Sequence, residues 1–259
     1  MKDRSIAFEK IANARDMGGL RTEHGNIISP GLLIRSANLS EATEADKNTL
    51  LGKYRLSKII DLRTETEQNE MPDISMANVE YLSIPIFDES VLGISHEKEN
   101  RNEQLVATIP PMEQLYCIMA TDPSCREKLG TAARCVMEHD YSKGSVLWHC
   151  TEGKDRCGLL SAVLLLALGV KRGTITEDYL LTNRVNAAKA ESYYQMTLSA
   201  GKTEAEAKKI KSIFLAKEEY LDSAFSAIDT QYGTSDAFLH DGLNIPQKLI
   251  EKFKKSVFR

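Results

Sequence analysis

One stretch of the 259-residue chain brings reactive residue types together at short, fixed offsets: Val146-Leu147-Trp148-His149-Cys150-Thr151-Glu152-Gly153-Lys154-Asp155-Arg156-Cys157-Gly158. An apolar, strand-like run leads into it, and an apolar helical run, residues 159–168, leads out. A strand that passes into a helix through a short turn leaves backbone N–H groups without a helical acceptor. It also aims the positive end of the helix dipole into the turn, which makes an anion site. Cys150, at the strand end, is placed for its thiolate to be stabilised by that dipole and by Arg156, so its pKa should fall below the usual value of about 8.5. Arg156 returns after one loop turn with a planar guanidinium that can grip two phosphate oxygens at once, which Lys cannot do. The chemistry predicted is attack of a thiolate on phosphorus. The guanidinium and the loop from Thr151 through Glu152, Gly153 and Lys154 to Cys157 hold the oxygens of a loose phosphoryl-transfer transition state. Gly153 and Gly158 lack the Cβ that would obstruct a tight loop. His149 should point away from Cys150 and orient the loop through hydrogen bonds.

Positioning such a loop takes a sheet and helices, and the rest of the sequence supplies both. Four apolar segments of strand length, residues 31–36 (GLLIRS), 57–62 (SKIIDL), 79–84 (VEYLSI) and 145–150 (SVLWHC), suit strands covered on both faces. Between them, Thr43 with Asp46 predicts a capped helix that buries Leu50, Leu51 and Tyr54. Asp122-Pro123 predicts another helix, with Leu129, Ala132, Ala133, Val136 and Met137 on one face. After Cys157 the pattern turns helical: Thr203 and Glu206 form a second capping box, and Ile210, Ile213, Phe214, Tyr220, Leu221, Ala224, Phe225 and Ile228 recur at spacings of three and four. These features predict an α/β fold with a helical C-terminal third. No linker divides the chain, which reads as one domain over 1–259. Within it, 172–259 form the helical flank and 88–112 a rim loop or lid, because that stretch is polar, shows no period and carries Pro110-Pro111.

Composition narrows the function. There are 33 Lys+Arg against 37 Asp+Glu, a net charge of −4, and a phosphate-backbone binder needs a concentrated basic surface, so nucleic acid is excluded as a partner. The longest apolar run is too short to cross a bilayer and reads as a buried helix, and no secretory signal is visible, so a cytoplasmic location is expected. The five cysteines, an odd number without a CxxC pair, disfavour both a disulfide framework and a structural metal site. Cys117, Cys125 and Cys135 read as small buried hydrophobes, and Lys208, Lys209 and Lys211 as a solvated helix face. Arg35 and Arg63, at strand ends, suit either buried ion pairs or the rim of a substrate site.

The H-C-x5-R-x-G pattern resembles the signature of protein tyrosine phosphatases. The fuller HCTEGKDRCG is similar to the HCxxGKDRTG loop of the bacterial and fungal tyrosine phosphatases related to a secreted mycobacterial enzyme. Asn13-Ala14-Arg15-Asp16-Met17-Gly18-Gly19-Leu20, Leu33-Ile34-Arg35-Ser36, Ile60-Asp61-Leu62-Arg63 and Asp178-Tyr179-Leu180-Leu181 look like that family's other blocks, in the same order. The resemblance implies a mostly parallel central sheet flanked by helices, a cysteinyl-phosphate on Cys150, a phosphate clamp at Arg156, and no cofactor or metal. Lys154 and Asp155 are then loop residues typical of this branch, and a Lys at this position also occurs in phosphoinositide phosphatases. The implied partners are phosphorylated proteins, dual specificity included, or phosphoinositides, with no stable insertion into a membrane. The leaving oxygen needs a proton, and two carboxylates qualify as its donor: Asp155 in the loop, and Asp88 just after Ile84-Pro85-Ile86-Phe87. Cys157 departs from the family's Thr or Ser, offering a weak S–H donor in place of a hydroxyl. A phospho-ligand binding module without turnover would lack one reactive part, and a sulfurtransferase resembles a shorter Cys-to-Arg spacing.

Overall fold

The computed structural model describes residues 3–87 and 110–259. Five strands form one sheet: β1 (Arg15–Asp16), β2 (Leu33–Ser36), β3 (Leu56–Asp61), β4 (Glu80–Ser83) and β5 (Ser145–His149), in the order β1-β2-β5-β3-β4. β2, β5, β3 and β4 are parallel, and β1 pairs antiparallel with β2. The apolar runs explain the order. β2 and β5 are buried at every position and β3 at all but one, so they take the interior, whereas the exposed β4 takes an edge. β5 lies in the middle, and its carboxyl end opens where ligands of parallel α/β sheets bind. β1, only two residues long, was not among the expected strands; its pairing is set by β2, not by a pattern of its own.

Alternation along the strands sends side chains to two cores. On one face Leu33, Ile60, Val146 and Trp148 pack against α3 (Met112–Thr121), α4 (Pro123–Met137) and α5 (Asp155–Ala167). On the other, Ile34, Ile59 and Leu147 meet Ile6, Ile11, Leu39, Leu50 and Tyr54. The first short helices flank this second face: α1 (Glu44–Asn48), capped by Thr43 and Asp46 as expected, and α2 (Glu65–Glu70). α1 passes into a π-helical turn, Thr49–Lys53, which leaves Leu51 only partly buried. α4 is N-capped by Asp122, with Pro123 in its first turn.

The remaining helices are α6 (Arg172–Leu180), α7 (Asn183–Ser199), α8 (Glu204–Phe214), α9 (Glu218–Tyr232), α10 (Ser235–Ala237) and α11 (Gln247–Val257). The C-terminal third is helical, as the spacings predict. α9 buries Tyr220, Leu221, Ala224, Phe225 and Ile228, but Ile210, Ile213 and Phe214 of α8 are only partly covered. α7 and α8 pack on each other, with Tyr193 stacked on Phe214 at 4.5 Å, and do not join the main core. Among the described residues, no helix is long and apolar enough to cross a membrane. Most of the expected rim loop, 88–109, lies outside the described residues. Phe87 before it is buried, and Met112 after it opens α3.

Candidate active site

β5 ends at His149 and α5 begins at Asp155, so residues 150–154 make the turn between them. Gly153 has φ +63°, and a Cβ there would lie 2.5 Å from the Ser36 carbonyl oxygen at the end of β2. Only glycine permits both the conformation and the approach. Among the described residues, no acceptor takes a hydrogen bond from the backbone amides of residues 151–155.

Cys150 is 2% exposed and stands where strand meets helix. Burial pushes its thiol pKa up, but hydrogen bonding from the Cys157 thiol, the Arg156 charge and the Cys157 amide bring it down to about 6. Cys157 moves the opposite way. Burial and the proton it gives to Cys150 hold its own thiol well above the ordinary value. Its Sγ also lies 3.6 Å from the Ser36 carbonyl and 3.8 Å from that of Trp148, two acceptors that favour the protonated form. One cysteine is kept as thiolate because its neighbour is kept as thiol.

Arg156 is held by a residue the sequence reading did not single out. Glu67, in the first turn of α2, accepts from Arg156 Nη1 at 2.5 Å and from Nη2 at 2.8 Å, and also accepts from the Thr151 hydroxyl. Nη2 makes a longer bond to Thr151 Oγ1, 3.3 Å, and Nε donates to no acceptor among the described residues. Burial raises the Glu67 pKa, yet Arg156 and Thr151 lower it to about 2, and Glu67 in turn drives the Arg156 pKa further up. The available signal was the capping box Thr64-x-x-Glu67, directly after Arg63. A capping box normally serves only its own helix, and nothing local shows that this carboxylate reaches across to α5. The Phe87 ring lies 6.0 Å from the Arg156 guanidinium.

The other loop side chains face the helical flank. Lys154 is 1% exposed, and its ammonium donates to the carbonyls of Ile213 and, at 3.2 Å, Leu215, at the carboxyl end of α8, where a cation is favoured. Asp155 accepts from Tyr116 Oη at 2.8 Å, and Tyr116 Oη lies 2.7 Å from that of Tyr179. Lys154 Nζ is 3.4 Å from the same carboxylate oxygen, Oδ1, which leaves Oδ2 with no partner among the described residues. Glu152 pairs with Lys189 of α7 at 2.5 Å. Asp88 lies outside the described residues.

Behind the loop, His149 is fully buried, with Nε2 2.9 Å from Asp73 Oδ2 and Nδ1 3.4 Å from the Cys150 carbonyl. Burial lowers its pKa, but Asp73 and Asp61 outweigh that and raise it. Asp61, Asp73 and His149 are metal-ligating types whose ligand atoms lie within 4.8 Å of one another. Arg63 is already the cation of this cluster: its Nη2 is 2.7 Å from Asp61 and 3.0 Å from Asp73, so a metal ion would meet a guanidinium. Arg63 is thus a buried ion-pair partner, and Arg35 likewise lies buried 3.6 Å from Asp178 of α6.

The sequence pattern of the tyrosine phosphatase family matches residues 6–259. A protein of Cupriavidus necator named as a candidate tyrosine-protein phosphatase is 28% identical over 243 residues, covering 93% of this chain and 84% of its own. A protein of Mycobacterium tuberculosis named triple specificity protein phosphatase PtpB is 24% identical over 269 residues, covering 93% of this chain and 95% of its own. Among solved structures, P. aeruginosa TpbA aligns with a TM-score of 0.37 at 14% identity, covering 78% of this chain and 89% of that one, a likeness too remote to add to the fold above. With the match running from the N-terminal segment through the Cys150 loop to the last residue, the chain belongs to the tyrosine phosphatase family.

Proposed function

We propose that this chain is a single catalytic domain that hydrolyses phosphotyrosine, with dual specificity toward phosphoserine and phosphothreonine, through a cysteinyl-phosphate on Cys150. The observation that carries the reading is a Cys150 thiolate, pKa about 6, beside Arg156 in a loop whose amides have no acceptor among the described residues. The Cys150 sulfur attacks phosphorus and the ester oxygen leaves with its bonding pair, taking a proton from a carboxylic acid, Asp155 or Asp88. Water then attacks the cysteinyl-phosphate, gives its proton back to that carboxylate, and releases inorganic phosphate and the Cys150 thiolate. Arg156 contributes Nε–H and the Nη2–H now loosely held by Thr151 to the equatorial oxygens, while Glu67 fixes the far edge of the guanidinium. The name of the mycobacterial relative supports breadth of substrate.

A phosphoinositide headgroup is the second substrate class, served by the same mechanism. It would draw on Lys154, whose ammonium would first have to leave the Ile213 and Leu215 carbonyls. A cytoplasmic location completes the reading. The test is a panel of p-nitrophenyl phosphate, phosphotyrosine and phosphoserine peptides, inositol phospholipids and thiosulfate, run on wild type and Cys150→Ser. Phosphate release by wild type, with Cys150→Ser binding but not cleaving, is the expected result. Failure to cleave p-nitrophenyl phosphate, or sulfur transfer from thiosulfate in its place, would sink the reading. Lipid turnover far below peptide turnover would remove the second class.

A further inference from the structure

Three carbonyls of the loop, those of Thr151, Glu152 and Gly153, are each met by a donor from outside it, whereas that of Lys154 already accepts from the Gly158 amide of α5 at 2.7 Å. Thr151 O accepts from Asn38 N at 3.2 Å and Nδ2 at 3.0 Å. Glu152 O and Gly153 O both accept from Asn13 Nδ2, at 2.9 and 3.0 Å. Gly153 O and Lys154 O accept from Arg35 Nη2, at 2.6 and 3.4 Å. In a planar trans peptide, the N–H of the next residue points opposite the carbonyl. Fixing the first three carbonyls therefore turns the amides of Glu152, Gly153 and Lys154 away from these donors, into the turn, while α5 itself orients the Asp155 amide.

The donors are themselves oriented. Asn13 Oδ1 accepts from Arg15 Nη1 at 2.5 Å, so its Nδ2 faces the loop. Asn38 Oδ1 accepts from the Ser40 amide at 3.2 Å and hydroxyl at 2.5 Å, so its Nδ2 faces Thr151. Arg35 and Arg15 lie 3.6 Å from the same buried Asp178, and Arg4 pairs with it as well. Three guanidiniums gathered on one carboxylate set positive charge behind the loop. The thiolate's own hydrogen bonds come from Cys157, and its nearby positive charge from Arg156, both on α5 and not in this outer set.

We propose, resting on the phosphatase reading, that Asn13, Arg35 and Asn38 form a collar of positioning residues that sets the oxyanion affinity of the loop and leaves the state of the Cys150 sulfur to Cys157 and Arg156. The experiment measures inhibition of p-nitrophenyl phosphate hydrolysis by inorganic phosphate, and the pH midpoint of iodoacetamide inactivation, which reads the thiolate. Asn38→Ala and Asn13→Gly each weaken phosphate inhibition about tenfold, in line with loss of the side chain's preorganising hydrogen bonds, one from Asn38 and two from Asn13. Glycine is chosen at 13 because the residue sits at φ +53°. Ser40→Ala, which removes one of the two donors that orient the Asn38 amide without touching the loop, weakens inhibition about two- to threefold. The alkylation midpoint stays in place in all three, whereas general loosening of the site moves both readouts together. Unchanged phosphate inhibition in Asn38→Ala and Ser40→Ala, both only partly buried positions, overturns the collar, as does a parallel shift of the alkylation midpoint. An active wild type with indifferent variants removes the collar alone; an inactive wild type removes the phosphatase reading first.

Discussion

Two arginine–carboxylate pairs flank the same loop, and their difference separates a tether from a working group. Arg63 and Asp61 are 1% and 0% exposed, and Arg63 is almost fully engaged: Asp61 holds Nε and Nη2, Asp73 lies 3.0 Å from Nη2, and Nη1 donates to Met71 O at 2.7 Å. Arg156 and Glu67 are 10% and 22% exposed, and the pair leaves Nε free among the described residues and Nη2 only loosely held by Thr151. The first pair is sealed from any ligand by its burial, with its Nε and Nη2 donors already taken. The second presents a fork on its open side because its other side is anchored. Ion-pair distance alone does not distinguish them; residual donor capacity at the mouth of the sheet does.

The same substitution on both sides tests that contrast most strongly. Arg156→Lys removes the fork from the transition state, and kcat/KM toward p-nitrophenyl phosphate should fall about 10³-fold with Tm nearly unchanged. Arg63→Lys leaves buried carboxylates under-satisfied, and should lower stability by about 3 kcal/mol in urea unfolding while the folded fraction keeps most of its activity. Equal loss of activity in the two would erase the distinction.

Next in size is the proton donor. Asp155→Asn and Asp88→Asn are compared by their kcat pH profiles. Loss of the true acid lowers kcat about 10²-fold with poor leaving groups, flattens the alkaline limb, and matters less for p-nitrophenolate. A flat response in both variants would mean that neither carboxylate delivers the proton.

Glu67→Gln releases the anchored edge of Arg156, and kcat/KM should drop about tenfold. It also has a pH signature. The folded-state pKa of Glu67 is lowered to about 2, so its contribution to stability is present above the ordinary carboxylate value and is lost as pH falls toward about 2. Urea midpoints of wild type should therefore decline over that acid range more steeply than those of Glu67→Gln. Parallel declines would show that the pair contributes nothing to folding.

The smallest effects concern Cys157. The lowered pKa of Cys150 means that thiolate is depleted as pH falls below about 6, so wild-type kcat/KM should lose about tenfold per pH unit there. Cys157→Ala removes one donor and shifts this limb upward in pH. Cys157→Ser keeps a donor with a stronger O–H and speeds hydrolysis of the cysteinyl-phosphate a few-fold, read as a smaller ratio of burst to steady state. An unchanged ratio would make Cys157 equivalent to the hydroxyl residue it replaces.

The parts of the molecule that were legible in the sequence depend on neighbours along the chain. The four segments expected as strands are β2 to β5 within a residue or two, and the Thr43 and Thr203 capping boxes and the Asp122-Pro123 start are all formed. The Cys150-to-Arg156 loop was equally plain, because its geometry is that of one strand, one turn and one helix. Less legible was α8, where periodicity predicted a buried face: the pattern is amphipathic, but α7 covers it, not the core. Periodicity states that a face is apolar without naming what lies against it.

What the order of residues determined by itself was a thiol and a guanidinium six positions apart across a strand-to-helix turn, since both are carried by a continuous piece of backbone. What only the tertiary structure decided was who holds them. Glu67 reaches Arg156 across 89 residues of sequence, Asn13 reaches the loop carbonyls from the turn before β1 and Arg35 from β2, and Lys154 is drawn to the end of α8. The physical reason is that turn geometry is local. A buried charge or carbonyl must instead be satisfied by whichever group the packed sheet and helices bring within about 3 Å of it.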